Sequence, residues 1–143
     1  MTDTDKPLEF VGSSKEDLSG FPFEVKRGVG FALRAAQKGG KHPDAKPLTG
    51  FGGAGVLEVV SDFDGDTFRA VCTVKFKGAI YVLHAFQKKS KTGIKTPQAE
   101  IDKIKSRLKD ATELYAESDY EKQNQIHQEQ RQRLRGRRSS KRR

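Results

Sequence analysis

The chain has one cysteine, no tryptophan and three histidines among 143 residues. A lone cysteine, Cys72, excludes an internal disulfide and fits a reducing cytoplasm, where the protein is expected to reside. The histidines are scattered and show no metal-ligand spacing, so neither a metal nor another cofactor is expected. No apolar run reaches membrane-spanning length. The N-terminal stretch MTDTDKPLEF has no hydrophobic segment and is not expected to be a secretory signal. Hydrophobic residues make up 34% of the chain and mean hydropathy is −0.77. Part of the chain is therefore expected to stay unpacked.

Charge is plentiful but divided. Residues 131–143, RQRLRGRRSSKRR, hold eight basic residues and no acid, so the other 130 residues carry 20 basic against 19 acidic. From Thr67 to Ala99 there are seven basic residues and no aspartate or glutamate, while the flanks 1–66 and 100–130 are each net −3. The net charge of +9 thus comes from two separate basic regions, one inside the fold and one on a tail. Such segregation points to a polyanionic partner.

KPLEFVGS reads as a short first strand. Ser13-Ser14 offers an N-cap for KEDL, and a second helix starts near Pro22, with Val25, Val29, Leu33 and Ala36 at helical spacing and Gly39-Gly40 as its stop. KHPDAKPLTGFGGAG lacks periodicity and reads as a loop. VLEVVSDF, TFRAVCTVKF and AIYVLHAFQK then read as strands, the first two joined through Asp64-Gly65, a strong hairpin signal. On the middle strand Phe68, Ala70, Cys72, Val74 and Phe76 share the core face. Arg69, Val71, Thr73 and Lys75 share the other, where the two small residues leave room for a ligand. Thr96 is expected to cap a last helix, with Pro97 at its first position and Ile101, Ile104, Leu108, Ala111 and Tyr115 as its buried stripe. The expected fold is α+β in the order β-α-α-β-β-β-α, an antiparallel sheet packed on helices. It occupies residues 1–117, and a Gln/Arg-rich helical extension with a disordered basic tail occupies 118–143.

Two readings of Arg69 stand side by side. It pairs with Glu58 across neighbouring strands, or its planar fork holds a phosphate. The lysines near 88–95 are either an ordinary solvated edge or a phosphate-facing surface. His84 lies among apolar residues and reads as a satisfied core or edge side chain, and Cys72 as core packing.

FRAVCTVKF followed by IYVLHAFQKKSKTGIKTP resembles the Gp49-like branch of the RelE/HigB superfamily of type II toxins. The likeness includes the strand-first N-terminus, the FPFEVKRGVGFALRAAQ helix and the loop into LEV, and covers roughly residues 8–112. The resemblance implies a RelE-like fold and a metal-independent, ribosome-dependent mRNA endonuclease that inhibits translation and is held inactive by a cognate helix-turn-helix antitoxin. Arg69, Lys88, Lys89 and Lys91 are then the expected catalytic residues. Lys75, Lys77 and Lys95, with Arg137 and Arg138 on the tail, are expected to contact RNA, and the tail either anchors the chain on ribosomal RNA or is a dispensable disordered extension. No membrane partner is expected. The chain departs from better-characterised relatives in two places. Glu58, Val59 and Val60 stand where those carry basic residues, and Lys95-Thr96-Pro97 stands where those carry a tyrosine. A non-catalytic RNA- or ribosome-binding module of the same fold is the competing expectation.

Overall fold

The computed structural model describes residues 5–53, 55–88 and 96–120, together with 126, 129, 130 and 132–134. Its elements are β1 (Leu8–Phe10), α1 (Ser14–Ser19), α2 (Phe23–Gln37), β2 (Ala45–Pro47), β3 (Val56–Phe63), β4 (Asp66–Thr73), β5 (Ile80–Lys88) and α3 (Gln98–Ala116). The strands form one five-stranded sheet in the order β1-β5-β4-β3-β2.

The central hairpin follows its local chemistry. Asp64 and Gly65 both take positive φ, 52° and 82°, and turn β3 into β4 in continuous antiparallel register. In α2, Val25, Val29, Leu33 and Ala36 are buried as their spacing requires, and they pack with Phe68, Ala70 and Cys72 in one hydrophobic cluster. Fully burying an aliphatic side chain such as Val29 or Ile80 contributes about 1.5–3 kcal/mol.

The sheet departs from expectation at both edges. The segment read as a loop contains β2, whose Ala45, Lys46 and Pro47 pair antiparallel with Val59, Glu58 and Leu57. Three residues are too few to show a period, and an edge position tolerates Pro47 because a missing donor there breaks no ladder. The sheet is also mixed, not antiparallel throughout. β1 runs parallel to β5, with Leu8 opposite Ile80 and Phe10 opposite Val82. That pairing closes only after the intervening chain has crossed the sheet, so nothing near either strand announces it.

The second sheet face is likewise not an open platform. Helix α3 lies on it, and Val71, Leu83 and Ile104 join Phe76, Tyr81, Ala111 and Tyr115 in a second cluster. Val71 and Thr73 are fully buried, so the room expected beside them is filled. Phe76 belongs to this second cluster, not to the face of Phe68, because the β4 strand ends at Thr73. Register slips by one residue where Val71 faces His84 but Cys72 faces Val82, leaving Leu83 as the extra residue of a β-bulge. The bulge lets Val82 and Ala85, three residues apart, both pack in the α2-side cluster.

Candidate functional site

Glu58 on β3 and Arg69 on β4 lie diagonally across neighbouring strands, since Val71 faces Glu58 and Val60 faces Arg69. Arg69 Nη1 donates to Glu58 Oε1 at 2.9 Å and to Thr96 Oγ1 at 3.2 Å. Thr96 Oγ1 in turn donates to Glu58 Oε2 at 2.6 Å. The cross-strand pair is therefore made, and it is enclosed, with side-chain exposures of 5% for Arg69 and 12% for Glu58. The Thr96 hydroxyl expected to cap α3 serves this carboxylate instead. The capping position falls to Pro97, which offers no side-chain bond.

A cavity of about 460 Å³ opens on this triad. One wall is the chain from Pro47 to Gly50, carried by β2; the other is the N-terminal part of α3, presenting Gln98, Ile101 and Lys105. Ile101 and Lys105 are four residues apart and so share one helix face. Charge, amide and hydroxyl groups thus converge on a concave floor, an arrangement that suits a small polar or anionic group. From sequence Thr96 reads only as a helix cap and Ile101 only as part of a buried stripe; Gln98, Lys105 and the β2-borne wall are not singled out.

The other expected site residues are placed as follows. Lys88 ends β5 opposite Thr67, two residues along from the Arg69–Phe86 pair, so it flanks the triad. Lys75 and Lys77 are exposed and follow Thr73, which is already about 13 Å along the strand from Arg69. Lys75 Nζ lies 5.7 Å from the Phe76 ring centroid. The expectations for Lys89, Lys91, Lys95, Arg137 and Arg138 fall outside the described residues. Thr96, the next residue in sequence after that stretch, lines the cavity.

A second polar centre lies across α3. The bulge residue pair Leu83–His84 meets Arg107, whose Nη1 donates to Leu83 O at 3.0 Å and to His84 Nδ1 at 3.2 Å. Because arginine can only donate, Nδ1 accepts, and Nε2–H is left to donate to Glu100. The ring is thereby held neutral, and its pKa is lowered chiefly by burial, against the opposing pull of Glu100. Arg107 Nη2 continues to Ser13 Oγ at 3.0 Å, which donates to Asp17 at 2.8 Å. His84 is a satisfied structural residue tying β5 to α3, and Arg107 carries the tie on to Ser13 ahead of α1. Cys72 is fully enclosed, and burial pushes its thiol up to about 12, far from a reactive thiolate. Among the described residues no group of three or more potential metal ligands gathers. No helix among them is long and apolar enough to cross a membrane.

These features define a class: an α+β protein whose mixed sheet is covered on both faces and carries an ion-paired cavity beside the start of α3. A protein-family model for phage-derived Gp49-like proteins (DUF891) matches residues 16–109, which is 94 of the 143 residues. The chain belongs to that family. The match spans every residue that lines the cavity and leaves out β1 and the basic tail. No curated protein matches the chain.

Proposed function

We propose that the protein is the toxin of a type II toxin–antitoxin pair of the RelE/HigB kind, an endoribonuclease that cuts mRNA on the translating ribosome without a metal. Its partners on this reading are mRNA, the ribosome and a helix-turn-helix antitoxin, and its place is the cytoplasm. The observation that carries the proposal is the cavity itself: Arg69, Glu58, Thr96 and Lys105 all line it, and Thr96 directly follows the acid-free lysine stretch in the sequence. Family membership supports it independently.

In metal-free scission the 2′-oxygen attacks the adjacent phosphorus, the P–O5′ bond breaks, and a 2′,3′-cyclic phosphate and a 5′-hydroxyl result. One group must take the 2′-hydroxyl proton, cations must meet the charge growing on the phosphoryl oxygens, and another group must protonate O5′. Arg69, Lys88, Lys89 and Lys91 supply the cations. Glu58 is the carboxylate lining the cavity, oriented by two donors to accept a proton, and a charged lysine of the 88–95 stretch serves as the acid.

One observation favours a second reading, a module that binds RNA or the ribosome without cutting. Arg69 is already engaged by Glu58 and Thr96 and is only 4% exposed, so a phosphate must compete for it. A defined translation reaction with added protein separates the two. Cleaved mRNA with 2′,3′-cyclic phosphate ends, absent with Glu58→Gln, supports the nuclease. Intact mRNA on ribosomes that retain the protein refutes it and leaves the binding module.

A further inference from the structure

The outward face of α2 is built unlike the surface of a helix that ends at solvent. Phe23 and Phe31 are 73% and 57% exposed, the two most exposed large hydrophobic side chains among the described residues. They stand eight residues apart, about 12 Å along the helix, with Arg27 midway and its guanidinium carbon 5.6 Å from the centroid of the Phe31 ring. Gly30 lies on the same stripe. A glycine in a helix interior forfeits stability relative to alanine, yet α2 holds two, Gly28 and Gly30. Nothing among the described residues lies within 4 Å of a side chain placed at either. The fold itself gives no reason for their smallness.

We infer that this face of α2 is a docking surface for an acidic amphipathic helix of a different polypeptide, with Phe23 and Phe31 as anchors and Gly30 as the point of close approach. The spacing of Phe23, Arg27, Gly30 and Phe31 matches how one helix is read by another. Missing side-chain bulk at Gly30 lets the two backbones approach. Charge selects the partner: Lys26, Arg27 and Lys38 stand against one carboxylate on the helix, Glu24, while Arg34 is paired with Asp5 at 2.9 Å. Carboxylates flanking the partner's apolar stripe complement them. A second copy of this chain fits poorly, because two such faces would set the same cations against one another. Stacked nucleic-acid bases fit poorly too, because Arg27 already covers one side of the Phe31 ring. None of these residues lines the Arg69 cavity, so the inference stands apart from the nuclease proposal.

The test uses the full-length protein labelled with ¹⁵N and titrated with a synthetic helical peptide bearing a leucine stripe flanked by glutamates. The same peptide with lysines for glutamates, and a short single-stranded RNA, are run in parallel. The expected result is saturable movement of the α2 amide signals by the acidic peptide alone, weakened by salt. It should fall by about tenfold or more in Phe23→Ser/Phe31→Ser, as for anchor residues. Gly30→Leu should fold with an unchanged spectrum elsewhere, since that space is open, and should lose the peptide by obstruction. The proposal is overturned if the acidic peptide does not bind, if it binds these variants as tightly as the parent, or if the lysine peptide binds equally. It is also overturned if RNA moves the same signals in its place, or if sedimentation shows a dimer that Phe23→Ser/Phe31→Ser dissociates.

Discussion

Arg69 and Glu58 form a nearly enclosed ion pair of 2.9 Å whose carboxylate also accepts the hydroxyl of Thr96. A pair of this kind is costly to break from one side, because the remaining charge stays buried without compensation. Arg69→Ala is expected to lower unfolding stability by about 3–5 kcal/mol, and Arg69→Met combined with Glu58→Gln to recover most of that loss. Urea denaturation of the three proteins measures it. Equal stability of parent and Arg69→Ala would show that the pair contributes nothing to the fold. Loss of activity in Arg69→Ala is informative only beside this measurement.

Thr96→Val keeps shape and removes the hydroxyl that bonds Glu58 Oε2 at 2.6 Å. The expected loss is about 1.5–3 kcal/mol, the range for a hydrogen bond to a charged group. Thr96→Ser should retain most of the stability. If the two variants melt alike, the hydroxyl is not what holds the carboxylate.

His84 supplies a pH dependence with a definite sign. Its folded pKa lies below the ordinary value of 6.5, with burial the largest cause and the Arg107 charge acting in the same direction. Below 6.5 the unfolded chain therefore takes up a proton that the folded chain resists. Stability from this residue is full above that value and is lost as pH falls through it toward the folded pKa. Thermal midpoints measured across this range should drop on the acid side, and His84→Gln should flatten that part of the curve. A midpoint that rises on acidification in the parent protein would contradict the neutral ring.

Gly55 sits at φ 63° where the chain enters β3, and a Cβ there would lie 3.0 Å from the backbone nitrogen of Lys75. Its carbonyl also accepts from Val74 N at 2.8 Å. Gly55→Ala is expected to cost about 1–3 kcal/mol through left-handed strain, with close contact adding to it. By contrast, Gly28→Ala and Gly30→Ala should each stabilise the chain by about 0.5–1 kcal/mol, because space is free at both positions. Chemical denaturation reads all three, and a stabilising Gly55→Ala would refute the close approach.

Much of the framework was legible because its signals are local. The Asp64-Gly65 hairpin, the buried stripe of α2 and the Phe68–Ala70–Cys72 core face each depend on turn chemistry or a hydrophobic period within a few residues. Of the candidate site, Arg69 and the Glu58 pairing were visible as alternatives on neighbouring strands, and the register then made the pair. The cavity that surrounds the pair had no such signal.

What the chain's own order of residues determined, then, is where it turns, which stripes are apolar and where charge accumulates. Tertiary structure alone decided that β1 joins β5 in parallel, that Ala45–Pro47 becomes an edge strand, that α3 fills the space over Val71 and Thr73, and that Thr96 serves Glu58 instead of its own helix. The reason is physical. Backbone preference and hydrophobic period act within a few residues. A hydrogen bond between Thr96 and Glu58, 38 positions apart, is selected only once both have been enclosed and each needs a partner.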